Sequence, residues 1–514
     1  MSEISNNSTA VFSFLCQSHS LSEEGLRGIF ESHKLTPNNH HVSDYQFFRE
    51  ACRNVRVTEG IIRYLLEYFP DAASAANLYG QLPLHFALCN TNMTLNIIKL
   101  LIDAAPDFIC SVDEDGYMPL HCLCISENIV DEAAALEIMK LLIEKCPESV
   151  RRTDNDGCLP IHLAAISSKS PEFCRVLIEA YPRSERIVNH EGALPLHWAC
   201  TMNTVATVEY LHKLYPDAIN HESAEGYYPI HYAIMGVTTK GSTIHNVEIV
   251  HFLLDCDPIV KLQKYQGRCS LLHFACFREY NGSNIDAAVE IIKAIYDAHP
   301  EAIEDNRISS TIQRYHQRIQ TFINSQLVYA RLAKDRRLMT TPDDSRQLPL
   351  HRALQALQNN ATLGSIKLLV KGNPPAVQSP DNCGAIPLHV ACVHHDSVKV
   401  VQFLIGLDAT TLDAVDRDGN TALHLACCVA RHEIIALLLD EFDAVSVSER
   451  NARGKLPIDL LWECIGDRES TEYTESVFRL LRAYPEMMMG INIQMKTASA
   501  FCPSQSGKKR KLGY

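Results

Sequence analysis

A four-residue phrase, aliphatic-Pro-aliphatic-His, returns along most of this 514-residue chain and constrains its folding more than any other feature. It stands at Leu82-Pro83-Leu84-His85, Met118-Pro119-Leu120-His121, Leu159-Pro160-Ile161-His162, Leu194-Pro195-Leu196-His197 and Tyr228-Pro229-Ile230-His231. It recurs, in places without the proline, at His273, Leu348-Pro349-Leu350-His351, Ile386-Pro387-Leu388-His389, Thr421-Ala422-Leu423-His424 and Leu456-Pro457-Ile458-Asp459. The histidines from His85 to His231 are spaced 36, 41, 35 and 34 residues apart, the period of a helix-pair solenoid. One unit of that length buries too little apolar surface to offset an ordering cost of roughly 1.5 kcal/mol per residue, so the units have to stack.

The clearest unit opens on a turn at Asp115-Gly116. Proline is tolerated at the first helical position, where its missing N–H would have had no partner, so Pro119 and Pro160 predict the start of a short helix. A longer helix follows, as in residues 96–102, 137–143 and 248–254, where apolar residues recur at the i, i+3, i+4 spacing of one face. Prolines at Pro70, Pro106, Pro147, Pro182, Pro216, Pro300 and Pro485 are expected to stop that second helix.

Small residues follow the histidine in His85-Phe86-Ala87, His162-Leu163-Ala164-Ala165, His197-Trp198-Ala199 and His424-Leu425-Ala426. With these, the unit resembles the ankyrin repeat, whose phrase is Thr-Pro-Leu-His. The resemblance spans roughly residues 45 to 490. It implies an all-α solenoid of stacked helix-turn-helix units with short hairpin or turn fingers. It also implies that His85, His121, His162, His197, His231, His273, His351, His389 and His424 tie adjacent turns together as structural residues. The chain departs from the family in the threonine slot, where a hydroxyl survives only at Ser270 and Thr421. A side-chain cap worth about 1 kcal/mol is therefore expected to be missing from eight units. Burial of an aliphatic side chain in the seam, roughly 1.5 to 3 kcal/mol, would stand in its place.

The rhythm breaks once, between His273 and His351, a gap of 78 residues or about two periods. There, Ile312, Tyr315, Ile319, Phe322, Ile323 and Leu327 predict one long amphipathic helix, made basic by Arg314, Arg318, Arg331, Lys334, Arg336 and Arg337. It reads as an inserted helix packed on the array, an eroded repeat, or a docking element. The expected organisation is a weakly structured lead-in (1–44), a first repeat block with its N-terminal cap (45–305), a helical basic insertion (306–346), a second block with its C-terminal cap (347–490) and a flexible basic tail (491–514). Arg49 replaces histidine in the first cap and Asp459 in the last.

Composition narrows the function. A formal charge of −14 argues against a general nucleic-acid binder, which needs a basic face. No apolar run is long enough to span a membrane, and residues 1–20 lack a secretory signal, so a cytoplasmic and possibly nuclear location is expected. Of the 19 cysteines, Cys124, Cys200, Cys276, Cys392 and Cys427 each lie three residues after a repeat histidine, as Cys52 does after Arg49. They are expected to fill one small buried slot as reduced thiols. A metal reading of His389, Cys392, His394 and His395 is weaker, because two of them belong to the repeat. No cofactor, metal or catalytic residue is expected, and the sequence holds no recognisable enzyme motif.

Candidate partner-binding residues sit at the finger positions: Tyr79, Gln81, Glu114, Asp115, Tyr117, Asn155, Asp156, Glu191, Glu225, Tyr227, Arg417, Asp418 and Asn420. Acidic tips with interleaved tyrosines predict a face for basic or mixed-charge protein segments, although tip aspartates also favour turns for purely local reasons. The expected function is a non-enzymatic adaptor or scaffold that binds other proteins. The alternative is a nuclear regulator directed by the basic cluster Lys508, Lys509, Arg510 and Lys511 as an import signal. An enzyme with its site in the insertion is the remote third.

Overall fold

The computed structural model describes residues 2–3, 13–18, 20–32, 40–41, 45–126, 131–238, 243–355, 361–441, 447–464 and 470–483. The expected tail 491–514, with Lys508 to Lys511, and much of the lead-in 1–44 lie outside them. The chain forms two compact units, Met1–Ile295 with Ser310–His316, and Tyr296–Ser309 with Gln317–Tyr514. The segment read as one insertion is thus divided between them.

In the first unit, short helices Pro83–Leu88, Pro119–Ile125, Pro160–Ile166, Pro195–Met202 and Pro229–Gly236 each begin on the proline of the phrase. Long helices alternate with them: Leu95–Ala104, Glu132–Lys145, Pro171–Ala180, Val205–Leu214 and Thr243–Cys256. Three of these long helices, and Glu59–Tyr68 before them, carry side-chain caps: Thr58, Thr94, Asp131 and Ser170 accept from the amides of Ile61, Ile97, Ala134 and Phe173. Pro70, Pro106, Pro147 and Pro216 end the long helix by opening a short 3-10 turn, the geometry left when proline bars helical backbone from the residue before it.

The slot side chains give the short helices no cap, as expected, and the histidines supply the other half of the capping arrangement. The ring Nδ1 accepts the backbone N–H three residues upstream: Leu82 to His85 and Met118 to His121 at 3.1 Å, Leu159 to His162 at 3.0 Å, Leu194 to His197 and Tyr228 to His231 at 3.1 Å. An Nδ1 that accepts leaves the proton on Nε2, which in four of these five rings donates to a backbone carbonyl one repeat further on. His85 reaches Tyr117, His121 reaches Arg152 and His162 reaches Ile187, each at 3.1 Å, and His197 reaches His221 at 3.2 Å. The same pattern serves the second unit, where His389 reaches Ala414 at 3.0 Å and His424 reaches Lys455 at 3.1 Å. Thr421, with its hydroxyl 2.8 Å from the His424 ring, keeps the hydroxyl-to-imidazole contact. Arg49 does half of the histidine's work by donating to Ala75 O at 3.3 Å, and Asp459 does the other half by accepting from the Leu456 amide at 2.9 Å.

A second tie runs along the other end of the short helices. Asn90 donates to the carbonyls of Cys52 and Asn54, Asn203 to those of Ala165 and Lys169, Asn246 to those of Cys200 and Thr201, and Asn284 to that of Val237. Each amide satisfies carbonyls that the end of the previous short helix leaves unpaired. Contact there is close enough at Gly236 that an added Cβ would lie 2.0 Å from Thr201 O.

The expected single long helix is broken. Asn306–Thr311 and a 3-10 turn Ile312–Arg314 precede Gln317–Lys334, which buries Ile319, Phe322, Ile323, Gln326, Tyr329 and Ala330. The break comes at Tyr315, whose backbone turns extended and whose side chain is buried. Gln317–Lys334 packs against Leu363–Gly372, and its buried Gln326 is hydrogen-bonded to Ser365, which also meets Tyr296 Oη at 3.1 Å. Arg314, Arg318, Arg331, Lys334, Arg336 and Arg337 are all exposed.

The cysteines three residues after the repeat position are buried, and burial pushes the Cys392 thiol up to about 12. One pair departs from the expectation of reduced thiols: Cys110 and Cys146 are joined as a disulfide, with Cα atoms 6.0 Å apart. They lie 36 residues apart, one repeat period, so stacking alone sets them side by side. With Glu148 they make the only three-donor grouping among the described residues, and the sulfurs are already bonded to each other. His394 is exposed while His389 and Cys392 are buried, and the His395 Nδ1 accepts from the Ser397 amide at 3.1 Å.

Candidate functional site

The fingers between repeats are built on one local device. The oxygen of a first-position Asn or Asp accepts two backbone amides, two and four residues on: Asn77 from Tyr79 and Gln81, Asp113 from Asp115 and Tyr117, Asp154 from Asp156 and Cys158, Asn189 from Glu191 and Ala193. In the second unit Asp381 and Asp416 do the same. A glycine closes each turn at positive φ, as Gly192 does at 70°, where an added Cβ would stand 2.8 Å from the Ala224 amide. The buried Asp113 and Asp154 are therefore turn-formers, the local role tip aspartates commonly have.

Neighbouring fingers are sewn tip to tip by backbone bonds. The Glu114 amide donates to Tyr79 O at 2.9 Å, Asn155 to Asp115 O at 3.0 Å, His190 to Asp156 O at 3.0 Å and Ala224 to Glu191 O at 2.8 Å. In the second unit Arg417 donates to Cys383 O and Ala452 to Asp418 O, both at 2.9 Å. The side chains between these bonds are held in register on a fixed strip.

The thirteen candidate residues divide into two groups. Tyr79, Glu114, Asp115, Asn155, Asp156, Glu191 and Glu225 are exposed in the first unit, as are Arg417 and Asp418 in the second. Gln81, Tyr117, Tyr227 and Asn420 are half-buried and spend their polar or aromatic groups on the fingers themselves. Gln81 contacts Asp113 at 3.4 Å, Tyr117 stacks on the His121 ring, Tyr227 stacks on Tyr265 with centroids 4.5 Å apart, and Asn420 accepts from Asn451 at 2.8 Å. Asn155 also spends its amide, on Glu114 O at 2.8 Å. Leu78, fully exposed beside Tyr79, was missed in the sequence; a bare leucine at a turn apex was the available signal.

Charge on the strip is uncompensated. Among the described residues none of Glu114, Asp115, Asp156, Glu191 and Glu225 forms an ion pair. Partial burial, then the carboxylates of Glu225 and Asp156, hold the Glu191 carboxyl above its ordinary range.

Two stretches of the chain, residues 129–220 and 350–451, match the family described as "Ankyrin repeats (3 copies)". The chain is also similar to the SMC5-SMC6 complex localization factor protein 1 of Homo sapiens, 39% identical over 79 residues, and to that of Bos taurus, 38% identical over 79 residues. Each likeness covers 15% of this chain and 7% of the relative's length.

Proposed function

We infer, from the premise that this chain is built of ankyrin repeats, that it is a non-enzymatic adaptor or scaffold that holds protein segments along its fingers and short helices. The observation that carries the finer reading is the strip of unpaired carboxylates from Glu114 to Glu225, in which partial burial and then the Glu225 and Asp156 carboxylates raise Glu191. A basic or mixed-charge segment relieves that repulsion, while Leu78 and Tyr79 offer apolar anchor area at one end. The test is a panel of peptides of graded charge, bound by the full chain and by the variant carrying Asp115→Lys, Asp156→Lys and Glu225→Lys. Basic peptides are expected to bind the natural chain and to lose at least about tenfold in affinity to the variant, and more at low salt. An unchanged ranking of peptides removes the acidic-face reading.

A second reading, a nuclear regulator brought to its partners by the cluster Lys508 to Lys511, is favoured by the likeness to a localization factor for the SMC5-SMC6 complex. A fluorescent reporter fused to residues 500–514 is expected to accumulate in nuclei, and an evenly spread reporter dismisses the cluster as an import signal.

A further inference from the structure

The repeat centred on His273 differs from the others in what surrounds its ring. A short hairpin, Lys264–Tyr265 paired with Cys269–Ser270, leads into helix Leu271–Cys276 and sets Cys269 Sγ 3.0 Å from His273 Nδ1. The ring Nε2 lies 3.2 Å from Thr311 Oγ1, which in turn lies 2.8 Å from Tyr315 Oη. In six other repeats Nε2 meets a backbone carbonyl, which can only accept; here it meets a hydroxyl, which can accept or donate.

This pair borders a cavity of about 650 Å³, lined among others by Tyr227, Tyr265, Phe274 and Phe277. Phe277 is half exposed at its edge. The charged groups that line the cavity are Arg278, whose guanidinium lies over the Phe274 ring at 5.7 Å, and Glu279. The buried slot cysteines lie in apolar surroundings, but Cys269 is half-buried at an aromatic-walled opening with an imidazole in contact. A thiol is nucleophilic as the thiolate, and an adjacent imidazole that takes its proton is the ordinary means of making one near neutral pH.

We propose that Cys269 is a covalent modification site for apolar α,β-unsaturated carbonyl compounds, with His273 as its base. The thiol proton passes to His273 Nδ1, and the ring's Nε2–H remains held by Thr311 Oγ1. The sulfur lone pair forms the C–S bond at the β-carbon, and the alkene π pair moves onto the carbonyl as an enolate. The imidazolium proton returns through water to the α-carbon. The product is a simple adduct: no group leaves and no oxidant is consumed. The aromatic walls select flat, apolar electrophiles over charged ones.

The experiment uses the full chain with substoichiometric N-phenylmaleimide, the labelled cysteines being located by peptide mass mapping. Cys383 and Cys428, both exposed, serve as internal references. At pH 6.5 Cys269 is expected to react at least about tenfold faster than either, since an unassisted thiol of pKa about 8.5 is almost wholly protonated there. Between pH 7.5 and 6 its rate should fall far less than the tenfold per unit of an ordinary thiol. His273→Asn should lower the Cys269 rate about tenfold and leave the references unchanged; because that ring is also structural, the pH profile of the natural chain decides the matter. A Cys269 rate no higher than the references, or one that drops tenfold per pH unit, overturns the proposal.

Discussion

His197→Ala is expected to destabilise the first unit by about 3 to 5 kcal/mol, the loss that follows when two buried backbone groups are orphaned and a ring-sized space is left. His197 is fully buried. Its Nδ1 accepts from the Leu194 amide at 3.1 Å and its Nε2 donates to His221 O at 3.2 Å, so one side chain caps a helix and bonds the next repeat. Alanine supplies neither partner. His190→Ala, at an exposed finger position, should change stability by no more than about 0.5 kcal/mol. The measurements are the urea midpoint of the full chain and hydrogen exchange at the Leu194 amide, which should lose its protection in His197→Ala. A shift below about 1 kcal/mol would mean that the seam is held by apolar packing alone.

The same two bonds explain how far the sequence could be read. Period, proline and histidine each have one physical cause that repeats, so the stacked helix pairs were legible from the phrase itself. The capping of the short helices was not. Counting hydroxyls in the threonine slot suggested eight bare helices, and the slot side chains indeed give no cap, but the ring three residues downstream accepts a different amide, that of the slot residue itself, a bond visible only once the helix has folded. Asn90, Asn203, Asn246 and Asn284 escaped notice because their spacing varies with loop length, and the carbonyls they reach lie in the preceding repeat. The fingers were legible in position but not in occupancy. Tyr117, Tyr227 and Asn420 fall where partners usually lie, yet their side chains are engaged within the array. Between His273 and His351 the apolar spacing of Ile319, Phe322 and Ile323 did mark a helix, but nothing in the pattern announced that Tyr315 would fold inward and end the preceding turn.

Acid should unfold this array well above the pH at which its carboxylates titrate. Burial pushes His121 and His162 down to about 4, and His197 and His231 down to about 3. His85, His351, His389 and His424 are lowered by the same cause. Geometry explains why a proton is unwelcome: Nδ1 already faces a backbone N–H, so a protonated ring would set donor against donor. Above about pH 7.5 the rings are neutral whether the chain is folded or not, and stability should be flat. Between about 6.5 and 4 the unfolded chain binds protons that the folded one refuses, so stability falls with falling pH by up to about 1.4 kcal/mol per unit for each ring, or about 5 kcal/mol per unit for the four most depressed. Asp154, Glu191 and Asp297, raised chiefly by burial, act in the opposite sense, but they are three groups against eight. Urea midpoints measured at pH 7.5, 6.5, 5.5 and 4.5 should already fall between the first two and drop steeply at the last two. Equal midpoints from 7.5 to 4.5 would show that the rings take up protons in place, and the neutral imidazole could no longer be what binds each repeat to the next.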